Sequence, residues 1–173
     1  KPGESYTVVV AAVDTYGNQG EFSEPLIFTT PEDTTAPVIA SIYPTPSYFA
    51  KSIPLQVNAK DDFSVASVTV EASTDQKTWK QIAVIENPEP TKNYFNASYT
   101  LDVTGYPEGT LYVRAYAEDL AGNKGTVENA AVYEYMVDRT APAAMDTLRA
   151  VENDSCIELL WEEADTDVNY YRL

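Results

Sequence analysis

Apolar and polar residues alternate with a period of two along most of the chain, the period of strands whose side chains point to opposite faces in turn. Ile53, Leu55, Val57 and Ala59 form one such series, Val68, Val70 and Ala72 a second, and Phe95, Ala97, Tyr99, Leu101 and Val103 a third. Leu111, Val113, Ala115 and Ala117 form a fourth. With Val38 to Tyr43, Trp79 to Ile85 and about Ala130 to Val137, the pattern predicts seven short strands in about 100 residues. Turn residues separate them: Asp61-Asp62-Phe63-Ser64, Thr74-Asp75-Gln76-Lys77, and a loop marked by Pro88, Pro90 and Asn93. No segment carries a helical period. Short strands with one apolar face each predict an all-β protein, a two-sheet antiparallel sandwich.

A longer period overlies the short one. Tyr6 to Gly20 (YTVVVAAVDTYGNQG) has a near twin in Leu111 to Gly125 (LYVRAYAEDLAGNKG), and Asp14 stands 105 residues before Asp119. The same spacing separates Asp33-Thr34-Thr35-Ala36-Pro37 from Asp138-Arg139-Thr140-Ala141-Pro142, and Pro2 from Pro107. A module therefore recurs every 105 residues. Residues 33–138 are expected to hold one complete copy. Residues 1–32 are expected to supply the last two strands of a preceding copy, a strand from Tyr6 and another from Pro25 to Thr30 around the turn Asp14 to Asn18. Residues 139–173 should open a further one: Ile157, Leu159 and Trp161 share a face, Asp165-Thr166-Asp167 turns the chain, and Tyr170 to Leu173 starts another strand. The chain is thus expected to begin and end inside domains, joined by short linkers that their prolines stiffen.

Composition narrows the chemistry. Acidic side chains outnumber basic ones 27 to 11, a net charge of −16, and such a field repels nucleic acid. No apolar run approaches the roughly 20 residues that cross a bilayer, so no membrane insertion is expected. The chain has no histidine, which removes Ser-His-Asp and Cys-His catalysis and histidine-ligated zinc together. The single cysteine, Cys156, excludes a disulfide within the chain and has no base beside it. Paired carboxylates could in principle cleave glycosides, but a small sandwich with short loops offers no deep cleft. No enzyme activity is expected.

The residues at both ends resemble fibronectin type III domains. Pro2-Gly3, Tyr6, Val8, Val10, Ala12, Asp14, Gly17 and Asn18 are similar to the closing hairpin of that family, and Leu148, Ala150, Ile157, Leu159, Trp161 and Tyr171-Arg172-Leu173 to its opening strands. The middle module, with Asp61-Asp62, Ser73-Thr74-Asp75, Trp79, Asp119, Gly122-Asn123 and the Asp-x-Thr-Ala-Pro joints, resembles immunoglobulin-like modules of bacterial surface proteins. The resemblance implies tandem sandwiches in an extracellular, cell-surface or secreted protein, used as spacers or stalks whose partners are the flanking domains of the same polypeptide. Two other functions go with such modules: an adhesive or carbohydrate-binding role, Ca²⁺-dependent in some arrangements, and a role as accessory domain of a secreted enzyme. Tyr6 stands at the family's corner tyrosine. The middle module has Leu111 there, so any corner hydrogen bond must come from another residue.

Four features compete as candidate sites. In an immunoglobulin-like sandwich the start of the first strand, the loop after the second and the loop between the last two share a pole. Those positions carry Asp33, Asp61, Asp62 and Asp119, oxygen donors suited to Ca²⁺ as the one cofactor the chain could hold; alternatively each caps its own turn and faces water. Thirteen tyrosines with Trp79, Phe49 and Phe95 invite a glycan-stacking reading, but most fall on strands, and only Tyr43, Tyr48, Phe49 and Tyr106 lie near turns. Ser73 to Trp79 is close to the Asp-box hairpin of sialidases, one residue short and without its glycine, and reads as a turn with a packed tryptophan. Asn96-Ala97-Ser98 fits the glycosylation pattern, but inside an alternating strand it reads as a chance match. Finally, the two partial domains are complementary, which predicts end-to-end association between chains through their open edges.

Overall fold

The alternating stretches become strands in a computed structural model of the chain, which describes residues 2–127, 130–145, 147–154, 156–162, 168 and 170–172. The chain divides into two compact units, Lys1–Val137 and Asp138–Leu173. Among the described residues there is no α-helix, and no helix is long and apolar enough to cross a membrane.

In the first unit, β1 (Ser5–Val8) and β2 (Leu26–Thr29) pair antiparallel, with Tyr6 opposite Phe28. Eight strands follow: β3 (Val38–Tyr43), β4 (Tyr48–Phe49), β5 (Ser52–Lys60), β6 (Ser67–Ser73), β7 (Lys80–Glu86), β8 (Tyr94–Asp102), β9 (Gly109–Glu118) and β10 (Tyr133–Val137). They form a three-stranded sheet in the order β3-β5-β8 and a five-stranded sheet in the order β4-β10-β9-β6-β7. Every pair is antiparallel except β4 with β10, which run parallel.

Side chains of alternate residues meet between the sheets. Ile53, Leu55, Val57 and Ala59 of β5, Ala97 and Leu101 of β8, Val68, Val70 and Ala72 of β6, and Leu111, Val113, Ala115 and Ala117 of β9 are all buried in one core. That core makes the unit a β-sandwich. On the opposite face of the five-stranded sheet, Arg114 bridges Glu71 at 2.7 Å and lies 4.0 Å from the Trp79 ring centre. The turn before Trp79 is built by Asp75, whose Oδ1 accepts from the Lys77 and Thr78 amides at 2.8 Å, while Gln76 takes a φ of 57°. Those amides hold Asp75 well below the usual carboxylate range, at about 2.

Two features differ from the alternation pattern. The chain makes an eighth strand in this span, β4, where Tyr48 and Phe49 read as turn residues; Phe49 packs edge-on against Tyr135 with ring centres 5.8 Å apart. The last strand begins at Tyr133 rather than near Ala130. Tyr135 also supplies a long-range hydrogen bond that Leu111 cannot. Its hydroxyl donates to the Pro44 carbonyl at 2.9 Å, and burial pushes its own ionisation up to about 12.

Among its described residues the second unit holds one hairpin, β11 (Arg149–Asn153) with β12 (Cys156–Leu160), in which Ala150 faces Leu159. Trp161 packs edge-on against Tyr171 at 5.5 Å. Residues 170–172 are not in a strand, and the turn expected at Asp165-Thr166-Asp167, like Leu173, lies outside the described residues.

Candidate functional site

The 105-residue period is a period of local structure as well as of sequence. Asp119 Oδ1 accepts from the amides of Ala121 at 2.8 Å and Asn123 at 2.9 Å, and its Oδ2 accepts from the Asn123 side chain at 2.8 Å. Asp14 repeats all three bonds with Tyr16, Asn18 and the Asn18 side chain, each at 2.8 Å. Both turns put glycine in the left-handed region, Gly17 at φ 90° and Gly122 at φ 89°, where a β-carbon would be strained. Both close with a glycine amide reaching back, Gly20 to Ala12 and Gly125 to Ala117, at 2.9 Å. The joints match too: Thr35 donates its amide to Asp33 Oδ1 at 3.1 Å, and Thr140 to Asp138 Oδ1 at 3.0 Å.

The middle module uses its copy of the turn to hold the joint. The Asn123 side chain donates to the Asp33 carbonyl at 3.1 Å, 90 residues away in sequence. The loop after β5 reaches the same pole. Asp61 Oδ2 accepts from the amides of Phe63 at 2.9 Å and Ser64 at 3.1 Å, and Ser64 Oγ accepts from the Leu120 amide at 3.2 Å. Asn87, buried at the end of β7, donates its side chain to the Val65 carbonyl at 2.7 Å and pins the far side of the loop.

Three of the four candidate aspartates come together there. One carboxylate oxygen from each of Asp33, Asp61 and Asp62 lies within 4.8 Å of the others. Asp33 is only 8% exposed, Asp61 half-buried and Asp62 exposed. Asp61 spends Oδ2 on its turn, while its Oδ1 is closed off from solvent with no hydrogen-bond partner. Burial pushes the Asp33 carboxyl above its usual range, opposed by the Thr35 amide and reinforced by the charges of Asp119, Asp61 and Asp62. Asp119 is outside the trio. Both its oxygens serve its own turn, and it is 3% exposed, so it acts on the pole by its charge and by orienting Asn123.

An open cleft of about 500 Å³ adjoins the pole, with Asp33, Glu4, Phe63 and Thr91 among its lining residues. The aromatic candidates are scattered instead. Phe49, Phe95 and Tyr106 pack against the core, Trp79 lies under Arg114, and Tyr43 and Tyr48 are exposed. Asn123 ties turn to joint, and its recurrence as Asn18 one period earlier is the sequence signal that marks it.

No family model matches the chain, and no curated protein matches it. Among solved structures it is similar to the crystal structure of a β-1,2-glucanase from Parabacteroides distasonis, with 16% identity and a TM-score of 0.36. The match covers 72% of this chain but 16% of that one, and a likeness this weak carries no argument about activity.

Proposed function

We propose that the chain is part of a non-catalytic spacer in a bacterial cell-surface or secreted protein, where immunoglobulin-like and fibronectin type III-like sandwiches follow one another. The observation that carries this reading is where the module's two ends lie. β3 starts at Val38, opposite Lys60 and next to the acidic pole, and β10 finishes at Val137, opposite Gly109. Gly109 opens β9, which runs the whole height of the sheet to Glu118, one residue before Asp119. The two ends are therefore at opposite poles, separated by ten residues of strand, about 33 Å.

Tension between the ends runs along the strands. It draws β3 against β5 and β4 against β10, so the hydrogen bonds between them are loaded in shear and must yield together. A module that transmits force this way holds its neighbours apart without a pocket or a reactive group. Within its whole protein, replacing residues 38–137 by an unrelated sandwich whose ends also lie at opposite poles should preserve function, while deleting them should impair it. A replacement as harmful as the deletion would mean that the module's own surface binds something.

A further inference from the structure

We propose that the free edge of β8 is a docking surface for a second copy of this chain, which pairs with it antiparallel across a two-fold axis at Ser98. β8 ends the sheet β3-β5-β8. The Asp61 amide donates to the Asn93 carbonyl at one end of the strand, and the Val103 amide to the Lys51 carbonyl at the other, both at 2.9 Å. Odd-numbered residues of β8 therefore bond β5, and Tyr94, Asn96, Ser98, Thr100 and Asp102 turn their backbone N–H and C=O groups outward. No group among the described residues bonds them there. The other three edges of the sandwich are blunted: the pairings of β3 and β7 slip register partway, and β4 is two residues long. β8 has nine residues in unbroken register with β5, no proline or lysine, and no charge before Asp102.

Backbone groups at an open edge accept any strand, and the side chains select the partner. Centred on Ser98, the strand is complementary to itself. On the outer face Ser98 meets Ser98 of the second copy, Asn96 meets Thr100 and Tyr94 meets Asp102, all exposed and all in hydrogen-bonded pairs. On the inner face Tyr99 meets Ala97 and Phe95 meets Leu101, apolar on apolar. Phe95 and Tyr99 are only half-buried, as are Ile82 and Ile85 of β7, which contacts β8 on this side of the sandwich, so a second copy covers them. Charge agrees with this register. The Lys92 ammonium lies 5.9 Å from the Tyr94 ring centre, beside the carboxylate that pairing brings opposite Tyr94, and its own ion pair with Glu89 is exposed and weak. The two Asp102 side chains stand at opposite ends, so no like charges face each other in a molecule of net charge −16.

The test is sedimentation equilibrium of the full chain over a concentration series, with amide hydrogen exchange followed on the same samples. A monomer–dimer equilibrium is expected, and exchange of the Asn96, Ser98 and Thr100 amides should slow as the dimer fills. Ser98→Lys sets two ammonium groups opposite each other at the axis and should weaken dimerisation about tenfold or more. Its side chain is exposed and its amide points away from β5, so the variant keeps the sandwich. Thr7→Lys makes the same change of charge on the exposed strand β1 and should leave the dimer intact. A monomer at every concentration up to about 1 mM would overturn the proposal. So would a dimer whose β8 amides exchange as fast as the monomer's, one that Ser98→Lys leaves unchanged, or one that Thr7→Lys weakens equally.

Discussion

Leu111→Ala is expected to cost the first unit about 3 kcal/mol and lower its unfolding midpoint by roughly 10–20 °C. The side chain is 1% exposed on the inner face of β9, opposite Tyr135 of β10 and facing the other sheet across the core. Truncation removes three buried carbons and leaves a cavity that strands paired on both sides cannot close. One period earlier stands Tyr6, stacked on Phe28 at 5.7 Å but 40% exposed. Tyr6→Ala should cost less than about 1 kcal/mol. Equal losses, followed by circular dichroism in a denaturant series, would mean that the two copies carry similar burial.

Asp119→Ala is expected to destabilise by about 2–4 kcal/mol. It removes the acceptor of the Ala121 and Asn123 amides in a turn where the aspartate is 3% exposed. Buried donors left without a partner cost about 1–3 kcal/mol, and bonds to a charged acceptor are the stronger kind. The loss also frees Asn123, and with it the bond to the Asp33 carbonyl. Asp14→Ala breaks the same three bonds where water can replace them, since the residues of that turn are exposed, and should cost less than about 1 kcal/mol. The contrast isolates burial, because the local geometry is shared. Similar costs at both positions would show that the turn alone, and not its place at the pole, sets the energy.

The strands of the sandwich were legible because a sheet buried on one face demands alternation: Ile53, Leu55, Val57 and Ala59 are all buried where the pattern put them inward. β4 was not legible, since two residues carry no period. Tyr48 and Phe49 become a strand only because β10 arrives beside them, with Met136 donating its amide to the Ser47 carbonyl at 3.0 Å. The Tyr135 hydroxyl bond to Pro44 spans 91 residues and has no local signature.

At the pole, the convergence of Asp33, Asp61 and Asp62 could be read from loop order in a sandwich. The departure of Asp119 could have been read as well. Asp-x-x-Gly-Asn brings two amides and a side-chain amide onto one carboxylate, and its exposed twin at Asp14 folds the same way with no pole to serve. The orphaned Oδ1 of Asp61 depends on how side chains close around it, which no one-dimensional pattern encodes.

A spacer module must carry tension along its strands, and pulling the chain by its ends in a force spectrometer measures that directly. A discrete rupture is expected, followed by a lengthening of roughly 320 Å as residues 38–137 extend. Met136→Pro should lower the rupture force: proline removes the one amide that β10 gives to Ser47 and leaves that residue's outward bond to β4 unmade. Extension without a force peak, or a peak that Met136→Pro leaves unchanged, would contradict the claim that the module bears load through β4 and β10.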